Sequence, residues 1–202
     1  MSRFSKPLTL IAAASAALAL VGCAAVFDKH VVGNRAVPQP AKSVELSRYL
    51  GRWFELARYE QGFQKDCDGV TADYSLRSDG MIRVVNSCRK PDGKLKDAVG
   101  RAKVVDTATN AKLKVSFFGP FFGDYWVLDR ADDYSWAIVG EQSGRYLWLL
   151  SREASPGEAR VQELISRAGA LGSGLIDHNQ KMTVAAIAMA DMKVWAQRSY
   201  RV

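Results

Sequence analysis

Between about residues 44 and 151 the chain alternates. Leu113, Val115 and Phe117 are interleaved with Lys112, Lys114 and Ser116, a period of two that sets apolar groups on one face of an extended strand and wet groups on the other. Similar runs cover Trp53 to Tyr59, Val70 to Leu76, Met81 to Cys88, Leu95 to Val104, Tyr125 to Asp129, Ser135 to Glu141 and Arg145 to Leu150, which predicts eight strands. Between them lie short segments of turn chemistry, Arg77-Ser78-Asp79-Gly80, Pro91-Asp92-Gly93, Thr107-Ala108-Thr109-Asn110 and Gln142-Ser143-Gly144. An antiparallel up-and-down meander follows. Eight strands with no long exposed edge close most simply into one barrel, of a size that holds one small ligand.

The flanks of this region read differently. Ser155-Pro156 with Glu158 opens a segment in which Val161, Leu164, Ile165 and Ala168 recur at helical spacing before Gly169 and Gly172, the pattern of an α-helix packed on the barrel wall. Lys181 to Ala186 is a candidate last strand, and residues 187–202, with Ala188, Met192 and Trp195 at helical spacing, form a tail in which a short helix is expected.

The N-terminus carries an address. Arg3 and Lys6 precede an apolar run from Leu8 to Val21 that ends in Gly22-Cys23. Such a run is short for a membrane span, and a small residue before a lone Cys suits cleavage and acylation of the sulfur, so residues 1–22 are expected to be a lipoprotein signal peptide and Cys23 the lipid attachment site. The alternative is an uncleaved anchor with a buried thiol. Lipid chains on Cys23 would hold the protein on the membrane. Residues 23–42, with Pro38 and Pro40, read as the tether, and 43–186 as barrel plus helix.

Loss of residues 1–22 removes Arg3, Lys6 and no acid, and lowers the formal charge from +7 to +5. The cations are scattered and accompany no nucleic-acid motif, so no nucleic-acid partner is expected. Cys67 and Cys88 remain in an exported chain. Across a turn centred between Ser78 and Asp79 they fall near one another, and a disulfide between them is expected in preference to two reduced thiols. The two histidines, His30 and His178, lie in tether and loop. With no Gly-x-Ser-x-Gly elbow and no His-Glu-x-x-His stretch, neither catalysis, a metal nor a cofactor is expected.

Two motifs carry a resemblance. Tyr49-Leu50-Gly51-Arg52-Trp53-Phe54-Glu55-Leu56-Ala57-Arg58 stands at the first strand, and Tyr146-Leu147-Trp148-Leu149-Leu150-Ser151-Arg152 at the eighth. With the meander and helix, they resemble the lipocalin family. Ala111 to Gly123, followed by Tyr125-Trp126-Val127-Leu128, is similar to bacterial outer-membrane lipocalins and, beyond them, to apolipoprotein D. Two departures stand out: the family's Thr-Asp-Tyr turn reads Ala131-Asp132-Asp133-Tyr134 here, so that its Asp and Tyr match and its Thr does not, and the tail beyond Ala186 has no family counterpart.

The resemblance implies an all-β fold, an eight-stranded antiparallel barrel with one C-terminal helix, and a structural signature of Gly51, Trp53 and Arg152, with the guanidinium across the indole at the closed end. It implies ligand contacts at Tyr74, Asn86 and Trp126. Strand alternation from Arg152 adds Leu150, Trp148 and Tyr146 to the inward set; from Trp53 it adds Glu55, Ala57 and Tyr59, and from Leu113, Val115 and Phe117. Arg58 or Tyr59, near the open end, is expected to meet a headgroup. The implied ligands are long-chain fatty acids such as palmitate, or lysophospholipids, stored or transported at the bacterial outer membrane with the protein anchored on its periplasmic face. Partners are then a hydrophobic small molecule and, through the N-terminal lipid, the membrane; a homodimer is allowed for. A lipoprotein with a self-filled barrel and a lipid-modifying enzyme are the competing readings.

Overall fold

The structure, a computed structural model, describes residues 37–171 and 182–185. Cys23, the signal segment and the tail 187–202 lie outside the described residues. The strands are β1 (Gly51–Tyr59), β2 (Gly69–Leu76), β3 (Ile82–Arg89), β4 (Leu95–Val104), β5 (Lys112–Ser116), β6 (Gly123–Arg130), β7 (Trp136–Gly140), β8 (Leu147–Ser151) and β9 (Met182–Val184). A short helix, α1 (Leu46–Tyr49), precedes β1, and α2 (Glu158–Ala170) follows β8.

Every strand from β1 to β8 pairs antiparallel with its sequence neighbour, and β1 pairs with both β2 and β8. The sheet therefore closes into the eight-stranded barrel that the alternation predicts. The short β9 pairs with Ala57 to Tyr59 of β1, where β1 has parted from β2. The last residues of the expected tether are fixed to this frame. Pro38 is buried, Ala41 N–H donates to the Leu128 carbonyl (2.7 Å), and Lys42 reaches Asp132 (2.9 Å).

Two buried clusters divide the apolar residues. One lines the barrel interior, with Trp53, Ile82, Val84, Ala102, Leu113, Val127, Val139 and Leu150. The other lies between the outer wall and α2, where Val161, Leu164 and Ala168 meet Leu56, Leu128, Ile138, Leu147 and Leu149. These three α2 residues are the helical stripe seen in the sequence. Arg167 ties the helix down by lying over the Trp136 ring (5.0 Å) and approaching Asp129 (3.5 Å).

Alternation breaks at one place that matters. A β-bulge in β1 between Glu55 and Ala57, at Leu56, adds a residue against β8, and an extra residue exchanges the faces of all that follow. Trp53 and Glu55 point inward, but beyond the bulge Arg58 points inward and Ala57 and Tyr59 point outward, into the helix-side cluster. The expectation that Ala57 and Tyr59 line the interior is corrected by this bulge. Cys67 and Cys88 form a disulfide that ties the loop after β1 to β3.

Candidate functional site

The closed end is built around Trp53, which is 0% exposed. Its indole N–H donates to the Tyr49 carbonyl (2.8 Å), and the Arg152 guanidinium lies 3.8 Å from the ring centroid. Arg152 also donates to the carbonyls of Arg52 (2.6 Å), Arg48 (2.8 Å), Leu50 (2.8 Å) and Tyr49 (3.1 Å). It therefore caps the carbonyls that α1 leaves unpaired while it seals the indole. Gly51 is required between them: its φ of +92° is left-handed and a Cβ would stand 3.4 Å from Arg152 Nη1.

The strands run between this base and a mouth formed by residues 60–68, 90–94, 117–122 and 141–146. Inward side chains near the base are fully buried, whereas Tyr74, Asn86, Val115, Phe117, Tyr125 and Trp148 keep partial solvent access although they face the interior. Partial exposure inside a barrel means that these side chains border a hollow rather than packed neighbours. Phe117 lies flat against β4, and Gly100 permits this, since a Cβ there would sit 2.6 Å from the Ser116 carbonyl oxygen and 2.8 Å from the Phe117 ring.

Of the residues expected to contact ligand, Tyr74, Asn86, Val115, Phe117, Trp148 and Arg58 are brought together on this inward face. Trp126 is not. The β5–β6 hairpin sets Lys112 opposite Trp126 and Leu113 opposite Tyr125, so Tyr125 takes the inward place. Trp126 packs in the outer cluster, with the Lys112 ammonium 4.3 Å from its ring centroid. Tyr59, likewise turned out, is buried beside Met182 of β9 and does not reach the mouth.

Towards the mouth one buried polar network crosses from β1 to β8. Arg58 Nη1 donates to Glu55 Oε1 (2.5 Å), and Nη2 donates to the carbonyls of Gln64 (3.1 Å) and Cys67 (3.3 Å). The Gln64 amide donates to Glu55 Oε2 (2.9 Å) and accepts from the Trp148 indole N–H (3.1 Å). Burial pushes the Glu55 carboxyl up, against the pull of Arg58 and Gln64. Both carboxylate oxygens are engaged and the Arg58 charge is neutralised within the wall, which suits polar lining rather than proton transfer. Asn86 Oδ1 and Arg58 Nε are buried without a hydrogen-bond partner among the described residues.

Deeper, three hydroxyls form a chain. Tyr125 Oη lies 2.8 Å from Tyr49 Oη and 2.9 Å from Tyr74 Oη, and the Tyr49 ring packs on Trp53 at 5.1 Å between centroids. Sequence reasoning missed Tyr49 and Tyr125. The rim carries the largest exposed apolar side chains, Phe118 (83% exposed), Phe121 (78%), Phe63 and Leu95. Among the described residues no cluster of His, Cys, Asp and Glu could hold a metal ion.

A family model described as a lipocalin-like domain matches residues 44–179. The chain is a lipocalin. It is 38% identical to the outer membrane lipoprotein Blc of Escherichia coli K12, over 79% of this chain and 87% of that one. To the outer membrane lipoprotein Blc of Vibrio cholerae it is 42% identical, over 67% and 80%. Rat apolipoprotein D is 34% identical over 60% of this chain and 67% of its own. Insecticyanin of the tobacco hornworm superposes with a TM-score of 0.57 at 21% identity, covering 74% of this lipocalin and 83% of that chain; at that identity the likeness concerns the fold.

Proposed function

We propose that this lipocalin is a lipid-anchored binding protein that takes long-chain fatty acids or lysophospholipids and stores or carries them at the outer membrane, held by lipid on Cys23 at the periplasmic face. The observation that carries the reading is the contrast along the barrel axis. The base is sealed by Trp53 and Arg152, while the inward-facing Tyr74, Asn86, Val115, Phe117 and Trp148 are only partly buried. Aromatic and aliphatic walls with a few placed polar groups are the makeup of a small-molecule site. Burying about 400 Å² of acyl chain at ~25 cal/mol/Å² gives roughly 10 kcal/mol before the cost of association is subtracted, enough for micromolar binding. The names of the bacterial relatives and the apolar run before Cys23 support the location.

Because Glu55 neutralises Arg58, a headgroup at this point meets a hydrogen-bonding wall rather than a free cation. The protein binds without turnover in this reading, its buried carboxylates being held in internal hydrogen bonds. One observation favours a self-filled barrel: Gln64 reaches from the loop after β1 to the Trp148 indole and takes up part of the mouth. Natively purified protein, extracted for lipid and analysed by mass spectrometry, is expected to release acyl lipid. An empty extract, with no displacement of an environment-sensitive fatty-acid probe, would favour the self-filled barrel.

A further inference from the structure

The tyrosine chain runs across the barrel. In the ring of strands β2 and β6 stand four places apart in either direction, so Tyr74 and Tyr125 reach each other from opposite walls. Their hydroxyls, joined at 2.9 Å, form a bar through the interior. On the base side of the bar, Tyr49 is 3% exposed and packs on Trp53; Tyr74 and Tyr125 keep partial access to solvent. The bar is therefore the floor that a molecule entering from the mouth would meet.

Counting protons gives the floor a preference. Each phenol supplies one O–H. Three hydroxyls joined by two hydrogen bonds consume two protons, and one remains whichever way the chain runs. If Tyr49 donates to Tyr125 and Tyr125 to Tyr74, the spare proton is on Tyr74; if both neighbours donate to Tyr125, it is on Tyr125; if Tyr74 donates to Tyr125 and Tyr125 to Tyr49, it is on Tyr49. Tyr74 and Tyr125 are the reachable ones, so an acceptor arriving from the mouth selects the first two arrangements, and no other partner of the three hydroxyls is found among the described residues. Left unpaired at an apolar floor, a donor is costly.

We propose that this spare proton is a ligand contact, so that the lipocalin selects hydrocarbon ligands carrying an uncharged oxygen, a hydroxyl or carbonyl, at their buried end. The inference rests on the lipid-binding reading and adds the chemistry of the deep terminus to it. Burial holds the Tyr74 hydroxyl up at about 12 and keeps those of Tyr49 and Tyr125 above their usual value, so the donor persists at physiological pH. A carboxylate at the same place would be an unpaired buried charge met by a single donor, which is unfavourable.

The test compares hexadecanoate with its ω-hydroxy derivative, and with shorter ω-hydroxy acids, as competitors for a fluorescent fatty-acid probe on the full chain. A wholly apolar floor would reject the terminal hydroxyl by tenfold or more. Here the ω-hydroxy acid of best-fitting length is expected to bind as tightly as the plain acid or up to about tenfold tighter. The double variant Tyr74→Phe/Tyr125→Phe, which keeps both rings, is expected to restore the rejection, read as the ratio of ω-hydroxy to plain acid affinity in the same protein, and an unchanged far-ultraviolet circular dichroism spectrum reports that it folds. Rejection of every ω-hydroxy acid by the wild type overturns the proposal whether or not the variant folds, as does equal preference in wild type and variant. If neither kind of acid displaces the probe, the lipid-binding reading falls and this proposal with it.

Discussion

Arg152 closes the base with one planar group that does two things, and only Arg can do both. Its face lies on the Trp53 indole while its edge reaches four carbonyls around α1 and Gly51. A Lys ammonium lacks the flat fork. Arg152→Ala is expected to lower unfolding free energy by about 2–4 kcal/mol, combining a cation–π contact of ~1–2 with charge-assisted hydrogen bonds. Arg152→Lys should recover less than half of that, and red-shifted Trp53 emission would report the opened base. A second residue-scale prediction concerns alkali. The Tyr74 hydroxyl sits at about 12 in the fold against an ordinary 10.0. Below pH 10 both folded and unfolded chains keep the proton, and stability is complete. Between 10 and 12 the unfolded chain alone releases it, so stability is lost as pH rises through that window, by up to ~2–3 kcal/mol from this group. Tyr74→Phe should flatten that part of the stability curve measured by denaturant titration, and an unchanged slope would contradict the assignment.

At the scale of the element, the period-two pattern located the strands to within a residue or two, because half-buried ribbons must alternate. β4, expected from Leu95 to Val104, occupies those residues. Bulges were not legible. Nothing in Glu55-Leu56-Ala57 distinguishes an extra residue from a regular one, since all three are buried whichever way they face once α2 covers the outer wall. Tyr59 was lost to this ambiguity. Trp126 differs: its expected inward place rests on the resemblance alone, and the hairpin register sets it outward. A hairpin centred on Gly119 sets the inward Leu113 against Tyr125 and the polar Lys112 against Trp126, and that signal was available in the alternation of β5. The tyrosine chain could not be read at all, because it joins residues from opposite walls. The Cys67–Cys88 bond closes a loop of 21 residues around the β2–β3 hairpin and holds the segment that carries Gln64. Cys67→Ser/Cys88→Ser is expected to cost about 3 kcal/mol. Faster hydrogen exchange should be concentrated in residues 60–68, freeing Gln64 from Glu55; uniform acceleration over the barrel would argue against a local clamp.

For the whole molecule, the strongly exposed aromatic side chains among the described residues stand at one end of the barrel, whereas the base exposes aliphatic Leu76 and Val105. The base is closed by an Arg over an indole, and around the mouth Phe63, Phe118, Phe121 and Leu95 stand in solvent beside Lys65, Lys90 and Lys94. Exposed aromatic side chains on several loops at one end are an unusual load for a surface that meets only water. A chain tethered by lipid at Cys23, as proposed, would stay at a bilayer surface, and a rim that meets it would set its rings in the interfacial region and its ammonium groups against anionic headgroups. An acyl chain could then pass between membrane and barrel without crossing water, the slowest part of such a transfer because its cost grows with every exposed methylene. Phe118→Asp/Phe121→Asp in unacylated protein is expected to reduce binding to anionic vesicles by roughly tenfold or more, taking about 1–2 kcal/mol for each partly inserted ring. Transfer of a fluorescent fatty acid from vesicle to protein should slow by a similar factor, while affinity for the same acid presented in solution stays unchanged, since neither ring belongs to the inward face. Loss of affinity in solution would place the two rings inside the site instead, and unchanged transfer would mean that the mouth fills from water.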